Sequence, residues 1–351
     1  MYQIKQLPED FIVKEISEVN LETNGQYVCY ILKKVNYTTI DALQILSQKF
    51  KIPLKNIGFA GNKDKNAVTE QKISIFKGSK NFENVKFNNI ELKYLGNGKE
   101  PISLGDLEGN EFTITIRNLI GNELEKIKKL ENKKINVPNI FGPQRFSKNN
   151  HLVGKAVIKK DFRNAAELIL ENKGNVEEEI KNYLGDNKND YAGAIRLIPL
   201  KTRKLFIHAY QSFLFNEIIK EYLENKKKEK DEIKNIKIPI IGFNFELVSI
   251  NDIKLKKIVK KILDEEKIAP RDFVVNQMPE LTSEGTFREL FFELNNLKVL
   301  EIKDDELNEN MKKIKINFTL PKSCYATTLI EFIFKERSQR FLFFPASLKS
   351  L

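Results

Sequence analysis

Two-residue alternation of apolar and polar side chains sits toward both ends of this chain, and helical spacing fills the middle. Lys312 to Leu320 places Ile314, Ile316, Phe318 and Leu320 on one face, the period of a strand with one buried side. Phe112 to Arg117 and Thr69 to Ile75 alternate in the same way, and Glu91 to Leu95 is a further short strand candidate. Tyr27 to Lys33 is dense in β-formers and reads as a buried strand. From about residue 160 to residue 300 helices predominate. Tyr210, Phe213, Leu214, Ile218 and Tyr222 fall near one face, and Leu255, Ile258, Val259, Ile262 and Leu263 form a stripe opposed by lysines. Sheet elements on both sides of a helical middle imply a discontinuous domain that carries an insertion.

A chain of 351 residues is long enough for a sizeable core and more than one domain. No run approaches the roughly 18–20 apolar residues that span a bilayer. The N-terminal MYQIKQLPEDF lacks the apolar stretch of a secretory signal. Together these point to a cytoplasmic protein without membrane attachment. Lys and Arg number 59 against 48 Asp and Glu, a net charge of +11. Such a surplus favours an anionic partner, because phosphates attract it and binding releases counterions. Lysines interleaved with glutamates are equally those of an ordinary solvated surface. Cys29 and Cys324 both lie in apolar, strand-like surroundings and read as buried thiols. Neither belongs to a C-x-x-C, and His151 and His208 stand in unrelated contexts. A zinc framework, a disulfide scaffold and a Ser-His-Asp triad are therefore unsupported. Chemistry has to rest on carboxylates, amides, lysines and aromatics, with no metal and no cofactor expected.

The stretch IGFAGNKDKNAVTEQKISI, Ile57 to Ile75, concentrates the polar chemistry. An apolar run delivers the chain to Gly61, the polar segment Asn62 to Asn66 follows, and a strand begins near Thr69. Glycines at 58 and 61 permit backbone angles other residues resist, which predicts a sharp turn around Asp64. A carboxylate between Lys63 and Lys65 suits work beside a phosphate-bearing substrate; a solvated charged turn is the plainer alternative. Upstream, Thr38 or Thr39 caps a helix with Leu43, Leu46 and Phe50 at helical spacing. Pro8 to Glu15 opens a strand with Phe11 and Val13 on one side, by itself an N-terminal edge strand with Phe11 in the core.

Val137 to Phe146 is a second candidate region. Its two prolines and glycine rule out a continuous helix, and its polar content argues against a core strand. A shaped loop with Asn139, Phe141, Gln144, Arg145 and Phe146 can stack on a splayed base, bond its edge and hold a phosphate. An aromatic-anchored surface loop is the alternative. Asn225 to Lys237 reads as a charge-dense linker or loop, and Arg288 carries no assignment beyond a backbone contact.

Several motifs follow one another in order. They are P-E-D-F-x-V-x-E at Pro8–Glu15, G-x-K-D-x-x-A-x-T-x-Q at Gly61–Gln71 and a G-N-x-F-x-I-x-x-R strand ending at Arg117. Then come P-N-x-F-G-x-Q-R-F at Pro138–Phe146, A-Y-Q-S-x-L-F-N at Ala209–Asn216 and L-P-x-x-C-Y-A-T from Leu320. This ordered set resembles the TruD family of RNA pseudouridine synthases from the first residues almost to the last. One departure is Ser147, where the family usually has glycine after R-F.

The resemblance implies an α+β fold: a discontinuous pseudouridine synthase catalytic domain with a mixed, largely antiparallel sheet, plus a mostly helical inserted TRUD domain. The expected division is 1–160 and 299–351 for the catalytic domain and 161–298 for the insertion. Asp64 inherits the role of nucleophile, and Phe11, Asn139, Phe141 and Tyr325 inherit substrate contacts. Lys63, Lys65, Gln144 and Arg145 are candidate RNA contacts, although Arg145 can equally hold a carboxylate. The substrate class is tRNA or another structured RNA, by default uridine 13 of tRNA, and the expected state is a monomer without an obligate protein partner. Attack at C1′ and removal of a C2′ proton both remain open. A non-catalytic RNA-binding or RNA-folding protein on the same scaffold is the rival reading.

Overall fold

The alternating segments pair with one another, and the helical middle folds on its own core. The computed structural model describes residues 2–82, 86–172, 174–229 and 233–334. The chain divides into two units, Met1–Asn136 with Phe292–Ala326, and Val137–Phe291 with the described residues from Thr327. The expected second catalytic segment, 299–351, therefore extends past the described residues at its end, as does part of the expected 225–237 linker.

The first unit begins with β1 (Phe11–Ile16), β2 (Leu21–Glu22) and β3 (Tyr27–Val35), followed by helix α1 (Thr39–Phe50). Next come β4 (Ile57–Phe59), β5 (Val68–Phe76), β6 (Lys86–Phe87), β7 (Ile90–Gly98) and β8 (Gly109–Leu119). Helix α2 (Gly121–Lys128) and β9 (Ile135–Pro138) lead out of the unit. In the second unit, α3 (Asn150–Ile158), α4 (Phe162–Leu170), α5 (Asn175–Asp186) and α6 (Tyr191–Arg196) precede the long α7 (Leu200–Glu229). Strand β10 (Lys237–Ile240), α8 (Ile253–Glu266) and β11 (Thr286–Glu289) follow, and β12 (Phe291–Leu294) returns the chain to the first unit. The chain then adds β13 (Lys298–Asp304) and β14 (Lys312–Pro321) to the first unit and ends its described part in α9 (Ala326–Phe334).

Among the described residues ten strands of the first unit form one sheet in the order β13-β14-β8-β1-β5-β3-β7-β2, with β4 on β5 and β6 on β7. Only the β1–β5 pairing is parallel, Ile12 facing Val68; the other pairs are antiparallel. The sheet is thus mixed and largely antiparallel. β1 lies between β8 and β5, which corrects the edge position that an N-terminal strand suggested. The ends of that order are β13 and β2, and Lys298 and Lys303 on β13 blunt further pairing there.

Local chemistry explains the elements around β5. Thr38 caps α1 by accepting from the Asp41 amide at 3.1 Å, and Asp41 returns the contact to the Thr38 amide at 3.3 Å. Ala42, Leu43 and Leu46 of α1 then pack against Tyr30, Leu32, Ile73, Ile75 and Leu92 of the sheet. A fully buried leucine such as Leu43 contributes about 2 kcal/mol. The glycine at 58 turns out to serve close approach, not a left-handed turn: a Cβ there would sit 2.3 Å from the carbonyl oxygen of Ile102. Gly61 has open, ordinary surroundings and no positive φ, so the sharp turn expected from these glycines is not made by them.

In the second unit Gly154 lets α3 press on α7, since a Cβ would meet the Phe206 carbonyl at 2.0 Å. α8 buries Leu255, Ile258, Val259, Ile262 and Leu263, the stripe its spacing predicts. α7 runs through Glu229 and so takes up the first residues expected in a linker; straight-chain Glu and Lys favour helix as readily as loop. Val137 and Pro138 belong to β9 and are buried, where their polar neighbours argued for loop. Ile135 and Val137 face inward while Asn136 is exposed, an alternation that starts before the polar stretch. No described helix is long and apolar enough to cross a membrane.

Candidate active site

The loop between β4 and β5 is held from below by motif residues, leaving Asp64 near the surface. Thr39, the first residue of α1, accepts from the Lys63 amide at 2.8 Å and donates to Gln71 Oε1 at 2.8 Å. Gln71 Nε2 donates in turn to the Gly61 carbonyl at 3.0 Å. Lys63 points inward. Its ammonium lies 2.7 Å from Asn110 Oδ1 and 3.0 Å from Glu15 Oε2, and is buried. One lysine thereby joins the Asp64 loop to the β1 motif and the β8 motif. Lys65 is exposed.

Asp64 keeps 42% of its side chain exposed, while the lysine that meets it, Lys5, keeps 14%. The Lys5 ammonium lies 2.8 Å from Asp64 Oδ2 and 4.0 Å from the centre of the Phe11 ring. Phe11 itself is 2% exposed and packs edge-on against Phe112 with ring centres 6.0 Å apart. Its place is therefore beneath Lys5. Lys5 adopts φ 62°, a left-handed backbone that costs about 1 kcal/mol in a non-glycine residue and concentrates where function requires it. Sequence reading missed Lys5 because nothing local distinguishes it from the other lysines.

The segment carrying Lys5 is clamped by the arginine of the β8 motif. Arg117 and Gln3 exchange backbone hydrogen bonds at 2.8 and 3.0 Å. The Arg117 guanidinium, buried, reaches Asp10 at 2.9 Å and Asp305 at 2.9 Å. Asp10 also accepts from the Leu7 amide at 2.9 Å, and Asp305 from the Asn118 amide at 2.8 Å.

Lys34 of β3 was also missed. Its side chain has no exposure, and its ammonium donates to the carbonyl of Asp64 at 3.0 Å and of Tyr37 at 2.6 Å. Burial pushes Lys34 down to about 8 against the pull of Asp64 and Asp41, with Lys63 lowering it further. Between about pH 8 and the ordinary value of 10.5 the folded chain thus holds fewer protons than the unfolded one. The penalty of the buried charge is present below that window and is relieved as pH rises through it. Urea denaturation should therefore show wild type gaining on Lys34→Met by up to about 3 kcal/mol across the window. A difference that stays flat with pH counts against a buried, charged Lys34.

The second candidate region lies in the other unit. Asn139 and Phe141 are both buried. The Asn139 amide donates to the Leu290 carbonyl at 2.9 Å. Phe141 is held through its backbone, its N–H donating to Asn216 Oδ1 at 2.8 Å and its carbonyl accepting from Asn216 Nδ2 at 2.9 Å. Its ring meets Phe215 edge-on at 5.3 Å. Arg145 donates to Ser212 Oγ at 3.2 Å and lies 5.5 Å from the Phe141 ring centre, and Gln144 is exposed. The A-Y-Q-S-x-L-F-N motif of α7 is thus the floor of this loop. Arg288 donates to Asn139 Oδ1, and its guanidinium carbon lies 4.4 Å from the Phe141 ring centre.

Ser147 stands at φ 46°, which explains the glycine usual at this place. The left-handed conformation costs a serine about 1 kcal/mol that glycine avoids, partly offset by glycine's larger unfolded entropy. Ser147→Gly is expected to raise stability by about 0.5 kcal/mol, read as a shift in the urea midpoint at constant slope. A lowered midpoint would contradict the backbone assignment.

Tyr325, in the first unit, is half-buried and follows the left-handed Ser323 (φ 68°) at the end of β14. Cys29 is buried, and burial pushes its thiol up; Cys324 is only half-buried, which corrects the expectation of two buried thiols. It sits in the turn after β14 and not within the strand. His151 stacks on Phe213 with ring centres 5.2 Å apart, while His208 lies on α7, where its carbonyl accepts from Ser212. Among the described residues no group of three or more His, Cys, Asp or Glu is placed to hold a metal ion.

A sequence profile of the family described as tRNA pseudouridine synthase D (TruD) matches residues 2–182, 171–235 and 224–332. The tRNA pseudouridine synthase D of Aquifex aeolicus is 30% identical over 389 residues, covering 95% of this chain and 98% of that protein. A Methanosarcina barkeri protein named as a probable tRNA pseudouridine synthase D is 32% identical over 408 residues, covering 93% and 92%. The crystal structure of a Methanosarcina mazei protein assigned to tRNA pseudouridine synthase D (TruD) matches with a TM-score of 0.72 at 29% identity, over 94% of this chain and 92% of that one. The fold and these relatives define an enzyme of the pseudouridine synthase class, which isomerises uridine in RNA. Within that class the chain belongs to the tRNA pseudouridine synthase D (TruD) family.

Proposed function

We propose that this chain converts uridine 13 of tRNA to pseudouridine, with Asp64 as the group that acts at the ribose. The observation that carries this reading is a half-exposed carboxylate, held 2.8 Å from the Lys5 ammonium, on a loop that the inward-turned Lys63 and Gln71 of β5 hold in place. The N1–C1′ bond breaks, the uracil turns over, and a C5–C1′ bond forms. C5 loses its proton and N1 gains one, so the product is an isomer and no redox or energy source enters. The target uridine leaves its stack first, at a cost of a few kcal/mol, which contacts between lysines and phosphates offset. Lys65 is available for such a contact, as is Gln144, whereas Lys63 is engaged by Glu15 and Asn110. Lys63 therefore shapes the Asp64 loop. Roles toward the uracil fall, through the resemblance, on Asn139 and Phe141. The resemblance likewise gives Tyr325 the role of an aromatic substrate contact.

The test is incubation of the purified chain, without added cofactors, with a tRNA transcript, followed by carbodiimide-blocked primer extension. A new stop at position 13 supports the reading. A stop elsewhere keeps the enzyme and replaces the substrate. No stop in tRNA or total RNA, with tight RNA binding retained, would leave the non-catalytic RNA-binding protein in its place.

A further inference from the structure

We propose that Arg288 is a positioning residue that sets the orientation of the Asn139 amide and the Phe141 ring, a role that rests on the reading of those two side chains as uracil contacts. Arg288 lies on β11, where pairing with Ile238 of β10 fixes its register. Two residues further on, the Leu290 carbonyl accepts from the Asn139 amide. One short segment therefore holds Asn139 both by its backbone and, through Arg288, by its side chain. The same guanidinium lies against two aromatic rings, its carbon 4.4 Å from the centre of Phe141 and 5.9 Å from that of Phe215. Those two rings meet edge-on.

The chemistry of the group matches this double contact. A guanidinium is planar, lies flat on an aromatic face and donates hydrogen bonds within its plane. An asparagine amide has two ends of nearly equal shape and opposite hydrogen-bonding character. In a buried place the end that faces Arg288 has to be the carbonyl oxygen, because the reversed amide opposes two N–H groups. Arg288 thus fixes which end of Asn139 is turned toward it and which is turned away. Lysine is a point charge without a plane, and meets one of these two demands at most. Asn216 pins the Phe141 backbone independently, so loss of Arg288 loosens the side chains while the loop's path is kept.

The test uses the full chain with Arg288→Lys, Arg288→Gln, Asn139→Ala, and Asn139→Ala combined with Arg288→Gln. Single-turnover pseudouridine formation in a tRNA transcript, affinity for that transcript and Tm are read for each. Both Arg288 variants are expected to lose about 10- to 100-fold in rate, the scale of an ångström of misplacement. Affinity is expected to stay within about threefold, since no phosphate contact is removed. In the double variant, Arg288→Gln should add less than about twofold to the loss from Asn139→Ala, because the two act as one unit. Should Arg288→Gln fail to fold, Arg288→Lys, which keeps the charge, carries the comparison. Wild-type rates in both Arg288 variants beside a slow Asn139→Ala overturn the proposal alone. So does full additivity, or a tenfold loss of affinity at unchanged saturating rate, which would make Arg288 a contact with the RNA backbone. A wild-type rate in Asn139→Ala, with Asp64→Asn inactive, removes the uracil-contact reading itself and the proposal with it.

Discussion

Asp64→Asn is expected to lower pseudouridine formation by at least about three orders of magnitude, some 4 kcal/mol of transition-state stabilisation, while RNA affinity stays within about threefold. Asparagine has the size of aspartate, and its oxygen can still accept from Lys5, so the loop has no reason to move. The Thr39, Gln71 and Lys34 contacts to the loop run through backbone atoms of Gly61, Lys63 and Asp64, and all persist in the variant. What disappears is the negative charge, which either attack at C1′ or removal of a C2′ proton requires. Primer-extension stops quantified under single-turnover conditions, beside filter binding, separate the two effects. Retention of more than about a tenth of the activity would falsify the assignment of Asp64, on the same scale of barrier lowering.

Arg117→Met should destabilise the first unit by about 3–5 kcal/mol. Methionine fills much of the volume, so the loss is electrostatic. Asp10 and Asp305, buried to 2% and 6% exposure, would keep their charges without the guanidinium between them. The deficit should shrink as pH falls, because Asp305 and Glu306 are held below the usual carboxylate range in the folded chain and the stabilisation their pairing with Arg117 contributes is lost as they protonate. The same change loosens the N-terminal segment that carries Lys5, so activity should fall further than stability alone accounts for. Urea denaturation at two pH values is the check. A deficit under about 1 kcal/mol, or one that grows on acidification, would show that the carboxylates do not depend on Arg117. The variant Arg117→Lys, with one ammonium for the three carboxylates of Asp10, Asp305 and Glu306, is expected to recover only part of the loss.

The burial of β14 and α8 was legible residue by residue, since Ile314, Ile316, Phe318 and Leu320 face the core, as do five of the six apolar positions of α8, Ile253 at its start being exposed. Periodicity suffices there because one face of each element is wet. β1 was misjudged as an edge strand, because position in a sheet depends on partners far along the chain. Gly58 was read for its backbone freedom, whereas its neighbour in space, the Ile102 carbonyl, is what excludes a side chain. Arg288 had no reading beyond a backbone contact: a single arginine in a mixed segment has no local pattern, and its meaning comes from Asn139, 149 positions away.

By itself the sequence determined the strands and helices with clean periodicity, their inward faces, and the order of motifs that places the chain in its family. Those properties follow from local spacing and from short runs of residues whose chemistry travels with them. Tertiary structure alone decided how the polar groups are shared out. Lys5 goes to Asp64, Lys63 to Glu15 and Asn110, Arg117 to Asp10 and Asp305, and Lys34 to the carbonyl of Asp64. The reason is register. A lysine's partner is set by which strands lie side by side and at what offset, and a slip of one residue turns every side chain to the other face.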